Sequence, residues 1–306
     1  MTRRPSIRIG IDLGGSKIAA IAMDASGAIL AERRCPSPQG DYAATLATLI
    51  DIVATLETTI DATDMPIGIG MPGSIAPRSG LVQNANSTWL NGRPFAADLE
   101  RQLGPRVRLA NDANCFALSE AIDGAGCRAA RVLGVILGTG CGSGLIVDHR
   151  ISDGPRGIGG EWGHNPLPWT RADEWPGPEC WCGRRGCMEA WVSGPALAAD
   201  HTRLTGDVLD AVSIAARAAA GDGAAQATLA RHADRLARGL AAVVNILDPT
   251  IVIIGGGLSK LPHLYEQLPA LMAPHIFGED QRVIVVPPRW GDAGGVRGAA
   301  WLWPAE

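Results

Sequence analysis

Short apolar runs alternate with amphipathic stripes along most of this chain, the pattern of an α/β protein. Ile7–Leu13 and Ile18–Met23 read as strands, and Asp41 is placed to cap a helix whose Leu46, Leu49, Ile50, Val53 and Leu56 recur at helical spacing. The apolar run Ile67–Met71 stops at Pro72-Gly73, Leu81-Val82 follows, and Asn84–Gly92 is polar enough to be a loop. Val107–Ala110 predicts a strand that passes through Asn111-Asp112 into a helix reaching Glu120. In the second half, strands are expected at Val132–Leu137, Gly144–Val147, Ile251–Ile254 and Val283–Val286. Helices are expected at Pro195–Leu204, Val208–Ala220 and Ala224–Leu247, and a short one begins near Asp292. The third has Leu236, Leu240, Val243, Val244 and Leu247 facing a core and is stopped by Asp248-Pro249. Between Gly154 and Gly186 the chain is rich in Gly, Pro and Trp and follows neither period, and so long an irregular stretch calls for a function or a staple.

A repeat underlies this pattern. Gly10-Ile-Asp-Leu-Gly-Gly-Ser-Lys17 and Gly134-Val-Ile-Leu-Gly-Thr-Gly-Cys141 both set glycines between apolar strands. At an offset of 124 residues, Gly10 falls on Gly134, Leu13 on Leu137, Gly14 on Gly138 and Asp24 on Asp148. A duplicated strand–turn–strand unit accounts for this. Its glycines would let backbone N–H groups approach phosphate oxygens, with Ser16 and Thr139 adding hydroxyls and Lys17 a charge. A pair of ordinary hairpins is the plainer alternative. Neither turn has the spacing of a P-loop or of a Rossmann dinucleotide site.

Length and charge narrow the classes. With 306 residues, two domains are expected, and a boundary near Ser119–Arg131 separates residues 1–118, joined by a C-terminal helix at 290–306, from a larger domain at 119–289. A net charge of −4, with basic residues dispersed apart from Arg3-Arg4 and Arg33-Arg34, leaves no footprint for nucleic acid. The start lacks the apolar core of a secretion signal, and the longest uncharged segment, Val132–Val147, is too short and glycine-broken to span a membrane. A cytoplasmic protein without membrane association is therefore expected.

Three of the seven cysteines crowd into Cys180-x-Cys182-x4-Cys187, which a secreted disulfide framework explains poorly. With His164 they supply the donors of a closed Cys3His zinc site, against free thiols or a stray disulfide. The other cysteines, Cys35, Cys115, Cys127 and Cys141, read as small core or surface thiols. Trp301 and Trp303 are expected to pack a terminal helix, and His201, His232, His263 and His275 to be ordinary surface or helix residues. Asp112, where a strand meets a helix, reads as a base or, with Asn111, as a helix cap. Asp12 reads as a Mg²⁺ partner or a turn residue. Gly255-Gly256-Gly257 reads as a place where a purine nucleoside meets backbone or as a plain connection.

Asp12-Leu-Gly-Gly-Ser-Lys17, Asn111-Asp-Ala-Asn114, Gly138-Thr-Gly140, Gly160-Glu-Trp-Gly-His164, the cysteine cluster and Gly255–Gly257 together resemble the ROK family of repressors and sugar kinases, in family order and over nearly the whole chain. The resemblance implies a two-domain actin-like ATPase fold, ribonuclease H-like, of the sugar kinase, Hsp70 and actin superfamily, with ATP and sugar in the interdomain cleft. It implies Asp112 as catalytic base, and Asn86, Asn111, Glu161, His164 and Glu189 as sugar contacts. It also implies Asp12, Gly14, Gly15, Ser16, Lys17, Gly138, Thr139, Gly140, Gly255, Gly256 and Gly257 around Mg-ATP, and a structural Zn²⁺ on His164, Cys180, Cys182 and Cys187. A homodimer is compatible with it. Asn84–Gly92, Gly163-His-Asn-Pro-Leu-Pro168 and Gly298–Pro304 look most like the family's bacterial fructokinases, so fructose is the favoured hexose, with mannose or glucose next. N-acetylglucosamine kinase and glucokinase are the alternatives. A sugar-responsive repressor is disfavoured, because only six residues precede Ile7, where a helix-turn-helix would have to lie.

Overall fold

Strands form on the short apolar runs because these are buried on both faces, as β4 (Ile67–Met71) is throughout. The computed structural model describes residues 7–304, so Arg3-Arg4 and the last two positions of the expected terminal helix lie outside the described residues. Before β4 come β1 (Arg8–Leu13), β2 (Lys17–Met23), β3 (Ile29–Pro36) and α1 (Tyr42–Thr59). After it come β5 (Ser74–Ile75), β6 (Val82–Gln83), α2 (Phe95–Leu103), β7 (Val107–Asn111) and α3 (Asp112–Ile122). The second half holds β8 (Arg131–Leu137), β9 (Cys141–Val147), β10 (Arg150–Ile151), α4 (Glu189–Val192), α5 (Gly194–Thr205), α6 (Ala211–Ala219) and α7 (Gly223–Leu247). It ends with β11 (Ile251–Gly255), α8 (Pro262–Met272), β12 (Val285–Val286) and α9 (Gly294–Ala300).

The two large sheets have equivalent strand orders, β3-β2-β1-β4-β7 and β10-β9-β8-β11-β12. In each, a hairpin-linked run of three strands is extended by parallel strands reached through helices. Asp24 follows β2 as Asp148 follows β9, so the sequence repeat corresponds to a repeat of structure. The register fixes where the acidic residues lie: Asp12 of β1 pairs with Gly70 of β4, and Gly70 with Ala110 of β7. Asp12 and Asp112 therefore stand at the same, C-terminal, edge of one sheet, two strand spacings (about 10 Å) apart across it.

The chain divides into two compact units: Met1–Cys127 with Gly144–Gly159 and Arg289–Glu306, and Arg128–Ser143 with Gly160–Pro288. A single cut between 118 and 119 misses the return of residues 144–159 to the first unit. There the His149 ring bonds the Ala121 carbonyl at 3.0 Å, and the Gln83 amide donates to the Arg156 carbonyl at 3.4 Å. The final segment returns as well. α9 lies so close to β4 that a Cβ on Gly68 would stand 1.7 Å from the Ala299 carbonyl oxygen. Trp303 donates its indole N–H to the Ile67 carbonyl at 2.9 Å, while Arg8 stacks over Trp301 and Arg108 over Trp303. In the second unit, α7 and α8 cover β8, β11 and β12, with Leu236, Leu240, Leu264 and Leu268 fully buried.

Candidate active site and metal cluster

In the first unit, β1 runs into the glycine turn and β7 into α3. The turn is a tight hairpin closed by a Gly14 N–H to Lys17 carbonyl bond of 3.0 Å. Its tip, Gly15-Ser16-Lys17, is exposed. Asn111 caps α3: its side-chain oxygen accepts from the Ala113 N–H at 2.9 Å and its amide donates to the Gly73 carbonyl at 3.1 Å. The Asp112 carboxylate also accepts from Ala113 N–H, at 2.8 Å. The cap reading thus holds for Asn111 and leaves Asp112, at the first helical position, projecting from the sheet edge.

Asp12 is partly buried, and its carboxyl is pushed up to about 6, first by that burial and then by the negative charge of Asp112, with Lys17 opposing. A divalent cation arriving beside Asp12 would offset the cost of ionising this desolvated carboxylate, so its chemistry is compatible with Mg²⁺. A stability consequence follows. Because the folded state holds its proton more tightly than the unfolded chain, the destabilisation is absent below about pH 4, grows as pH rises to about 6, and is full above it. In Mg²⁺-free buffer, Asp12→Asn should raise the melting temperature at pH 8 by several degrees, for about 1–3 kcal/mol, and by little near pH 4. Equal melting curves at pH 8 would contradict this.

Asn86 lies exposed in a loop that is held in shape by Asn91, whose side chain bonds both the N–H and the C=O of Ala85 at 2.9 Å. Trp89 turns inward, donating to Thr45 Oγ1 at 3.3 Å.

In the second unit, Gly138, Thr139 and Gly140 form the turn between β8 and β9, closed by Gly138 N–H to the Gly140 carbonyl at 3.0 Å. Gly138 also accepts from Gly194 N–H at the start of α5, at 2.8 Å. β11 ends in Gly255, and Gly256 adopts φ 80° with its α-carbon pressed against β8: a Cβ there would meet the Leu137 carbonyl at 2.4 Å. Gly256 and Gly257 are exposed beside that end of the sheet.

Glu189 opens α4, and both its oxygens are engaged. Oε2 accepts from Cys141 N–H at 2.9 Å, and Oε1 from the Trp181 indole at 2.5 Å. Trp181 also stands edge-on to His164, with ring centroids 5.0 Å apart. Glu161 is raised by desolvation first, with Glu189 adding and His164 opposing, so the three sugar-contact residues expected in this unit sit within one electrostatic neighbourhood.

The donor atoms of His164, Cys180, Cys182 and Cys187 all lie within 4.8 Å of one another. Cys180 Sγ is 3.6 Å from His164 Nδ1, and Cys182 Sγ is 3.6 Å from Cys187 Sγ. A tetrahedron with bonds of about 2.0–2.3 Å has edges of roughly 3.3–3.8 Å, so the four fit a closed zinc site. Burial, then the neighbouring thiols, pushes Cys187 up to about 12, a cost that a bound dication reverses.

Several supports have no sequence motif. Glu174, in the irregular excursion, is buried against Arg235 and Arg238 of α7, accepting from Arg238 at 2.6 and 2.9 Å and from Arg235 at 3.0 Å. Burial alone would raise Glu174, but the Arg238, Arg171 backbone and Arg235 hydrogen bonds outweigh it and bring the carboxyl down to about 2. Arg235 continues the network to Asp200 of α5 at 3.0 Å. His201 and His232, expected to be ordinary surface or helix residues, are buried. His232 Nε2 bonds the Val192 carbonyl at 2.9 Å, tying α7 to the end of α4, and burial pushes its ring down to about 4. A lone histidine on a helix gives no sequence sign of such a bond.

The ROK family model matches residues 8–306. The chain is 39% identical over 301 residues to an N-acetyl-D-glucosamine kinase of Yersinia pseudotuberculosis, covering 97% of this chain and 99% of that protein. Its structure is similar to a ROK hexokinase from Thermus thermophilus, with a TM-score of 0.85 and 31% identity, covering 96% of each chain. It is similar also to a ROK glucokinase from Streptomyces griseus in complex with glucose and AMPPNP, with a TM-score of 0.76, 27% identity, and 97% and 98% of the two chains covered.

Proposed function

The chain belongs to the ROK family as an ATP-dependent sugar kinase with the actin-like fold of that class, and we propose that its acceptor is an N-acetylated hexosamine, N-acetyl-D-glucosamine first. What supports the acceptor is likeness to N-acetyl-D-glucosamine kinases at 39% identity over almost the entire length. The fructokinase reading drew on three short segments, whereas this likeness draws on residues throughout. Short loop segments can converge between acceptors that share one frame, so the longer likeness outweighs them.

In this reading Asp112 accepts the proton of the sugar's hydroxymethyl group as its oxygen attacks the γ-phosphorus. A carboxylate of ordinary basicity suffices, because phosphoryl transfer depends mostly on positioning and charge neutralisation. Asn111, fixed by its cap and by Gly73, holds a ring hydroxyl near Asp112. Glu161, His164 and Glu189 take further hydroxyls, and Asn86 contributes from its loop. Gly14–Lys17, Gly138–Gly140 and Gly255–Gly257 receive the nucleotide, and Asp12 would hold its cation. Bound there, Mg²⁺ would supply charge neutralisation for the phosphate oxygens. Zinc on His164, Cys180, Cys182 and Cys187 is structural, since four protein donors leave no open position. Among the described residues no helix is long and apolar enough to cross a membrane.

Initial ADP formation with subsaturating sugars tests the acceptor. kcat/KM for N-acetylglucosamine should exceed those for fructose, mannose and glucose by tenfold or more, since one buried polar contact satisfied in one sugar and absent in another is worth about 1–3 kcal/mol. A higher value for fructose would return the protein to the fructokinase reading.

A further inference from the structure

Gly256 and Gly257 are exposed after β11, but the next residue is not: Leu258 turns into the core of the second unit. Glycine backbone takes many shapes, so a loop of this kind holds one shape only if its surroundings impose it. On one side β8 does so, through the close approach of Gly256 to Leu137. The phosphate turn is a neighbour there as well, since a Cβ on Gly138 would lie 4.0 Å from the Gly257 nitrogen. The two glycine segments expected to receive the nucleotide in this unit therefore lie side by side.

On the side of α8, one side chain reaches both ends of the loop. Tyr265, one turn into that helix, donates its hydroxyl proton to the Ser259 carbonyl at 2.6 Å, and the Ile254 carbonyl of β11 stands 3.4 Å from the same oxygen. Ile254 precedes the three glycines and Ser259 follows them, so a single hydroxyl ties the strand end to the loop end. The Tyr265 ring packs half-buried against the core of the second unit, which fixes where the hydroxyl points. Burial also pushes that hydroxyl up to about 12, so it keeps its proton at neutral pH and serves as a donor. Ser259 adds a bond inside the loop, from Oγ to the Gly256 carbonyl at 2.7 Å. A loop ordered in advance binds more tightly, because ordering it is no longer a cost of binding. We propose that Tyr265 is a positioning residue for the nucleotide: it holds Gly255–Gly257 in the shape that receives the nucleoside, and so sets the affinity for ATP through the loop. This rests on the reading of that loop as the nucleoside site.

Initial rates are measured against ATP at saturating sugar and against sugar at saturating ATP, with N-acetylglucosamine or glucose, whichever the wild type turns over faster. Tyr265→Phe keeps the packed ring and removes only the hydroxyl. It should raise KM for ATP roughly 3–10-fold, the scale of one lost hydrogen bond, with kcat and the sugar KM unchanged. A general loosening of the unit would move all three together. Gly257→Val tests the loop itself: a Cβ there meets nothing within 4 Å and the backbone is not left-handed, so the free protein accommodates the side chain while a bound nucleoside does not. Its KM for ATP should rise by roughly tenfold or more. If Gly257→Val behaves so, while Tyr265→Phe raises KM for ATP less than threefold or moves all three constants alike, the role of Tyr265 is overturned and the loop reading stands. If Gly257→Val raises KM for ATP less than threefold, the loop is not the nucleoside site and both fall.

Discussion

Asp112→Asn is expected to keep the fold and the sugar affinity and to lose turnover by about 10²–10⁴. The side chain retains its shape and an oxygen for the Ala113 N–H, and Asn111 already caps α3 at 2.9 Å, so little helix stability is at risk. Removing a negative charge near Asp12 also relieves the repulsion that raises Asp12, so the melting temperature should hold or rise. What vanishes is the proton acceptor. Rates under saturating Mg-ATP, paired with sugar binding by calorimetry, separate the two roles. Near wild-type turnover with an unchanged melting curve would reduce Asp112 to a second cap.

Protein purified without chelator should carry close to one zinc per chain, and Cys182→Ser should lose metal, thermal stability and sugar affinity together. The excursion is fastened to α7 by Glu174 and folded on itself by the cysteine–histidine cluster, with Glu189 two residues past Cys187. Without the metal, the Glu174 anchor remains while three thiols crowd one another, so the loss should be partial unfolding of the excursion. Structural zinc contributes directly to folding free energy, which makes melting the sensitive readout. Metal analysis showing no zinc in such a preparation would remove the claim.

Much of this was legible because apolar runs and glycine turns are local signals. β1, β2, β4, β7 and α7 all follow their patterns, as does the duplication, whose Gly10 and Gly134 stand at matched points of two sheets of equivalent order. What escaped was mostly set by distant partners. β3 is an exposed edge strand carrying Glu32-Arg33-Arg34, so no apolar alternation marks it. α2 buries only Phe95 and Leu99, and α8 contains Pro269, which reads as a breaker although the helix continues around it. In the site, the cluster of His164, Cys180, Cys182 and Cys187 declares itself by spacing, whereas the roles expected of Asp12 and Asn111 come from the family resemblance. Trp181 occupies the free position of Cys-x-Cys, and its bond to Glu189 depends on the folded loop. The acceptor sugar is the least legible of all, because a preference between a hydroxyl and an acetamido group is a matter of a few buried atoms rather than of a motif.

The return of α9 to β1 and β4 has a temporal side. During synthesis, β1 and β4 emerge early, carrying Gly10 and Gly68, whose bare backbone is shaped to receive a helix made more than two hundred residues later. Until Arg289 and the residues after it leave the ribosome, one face of that sheet is uncovered while the second unit, contiguous apart from residues 144–159, is already complete in sequence. The unit that holds Asp12 and Asp112 is thus begun first and finished last, and a nascent chain stalled before α9 would expose an apolar sheet for chaperones or proteases to meet.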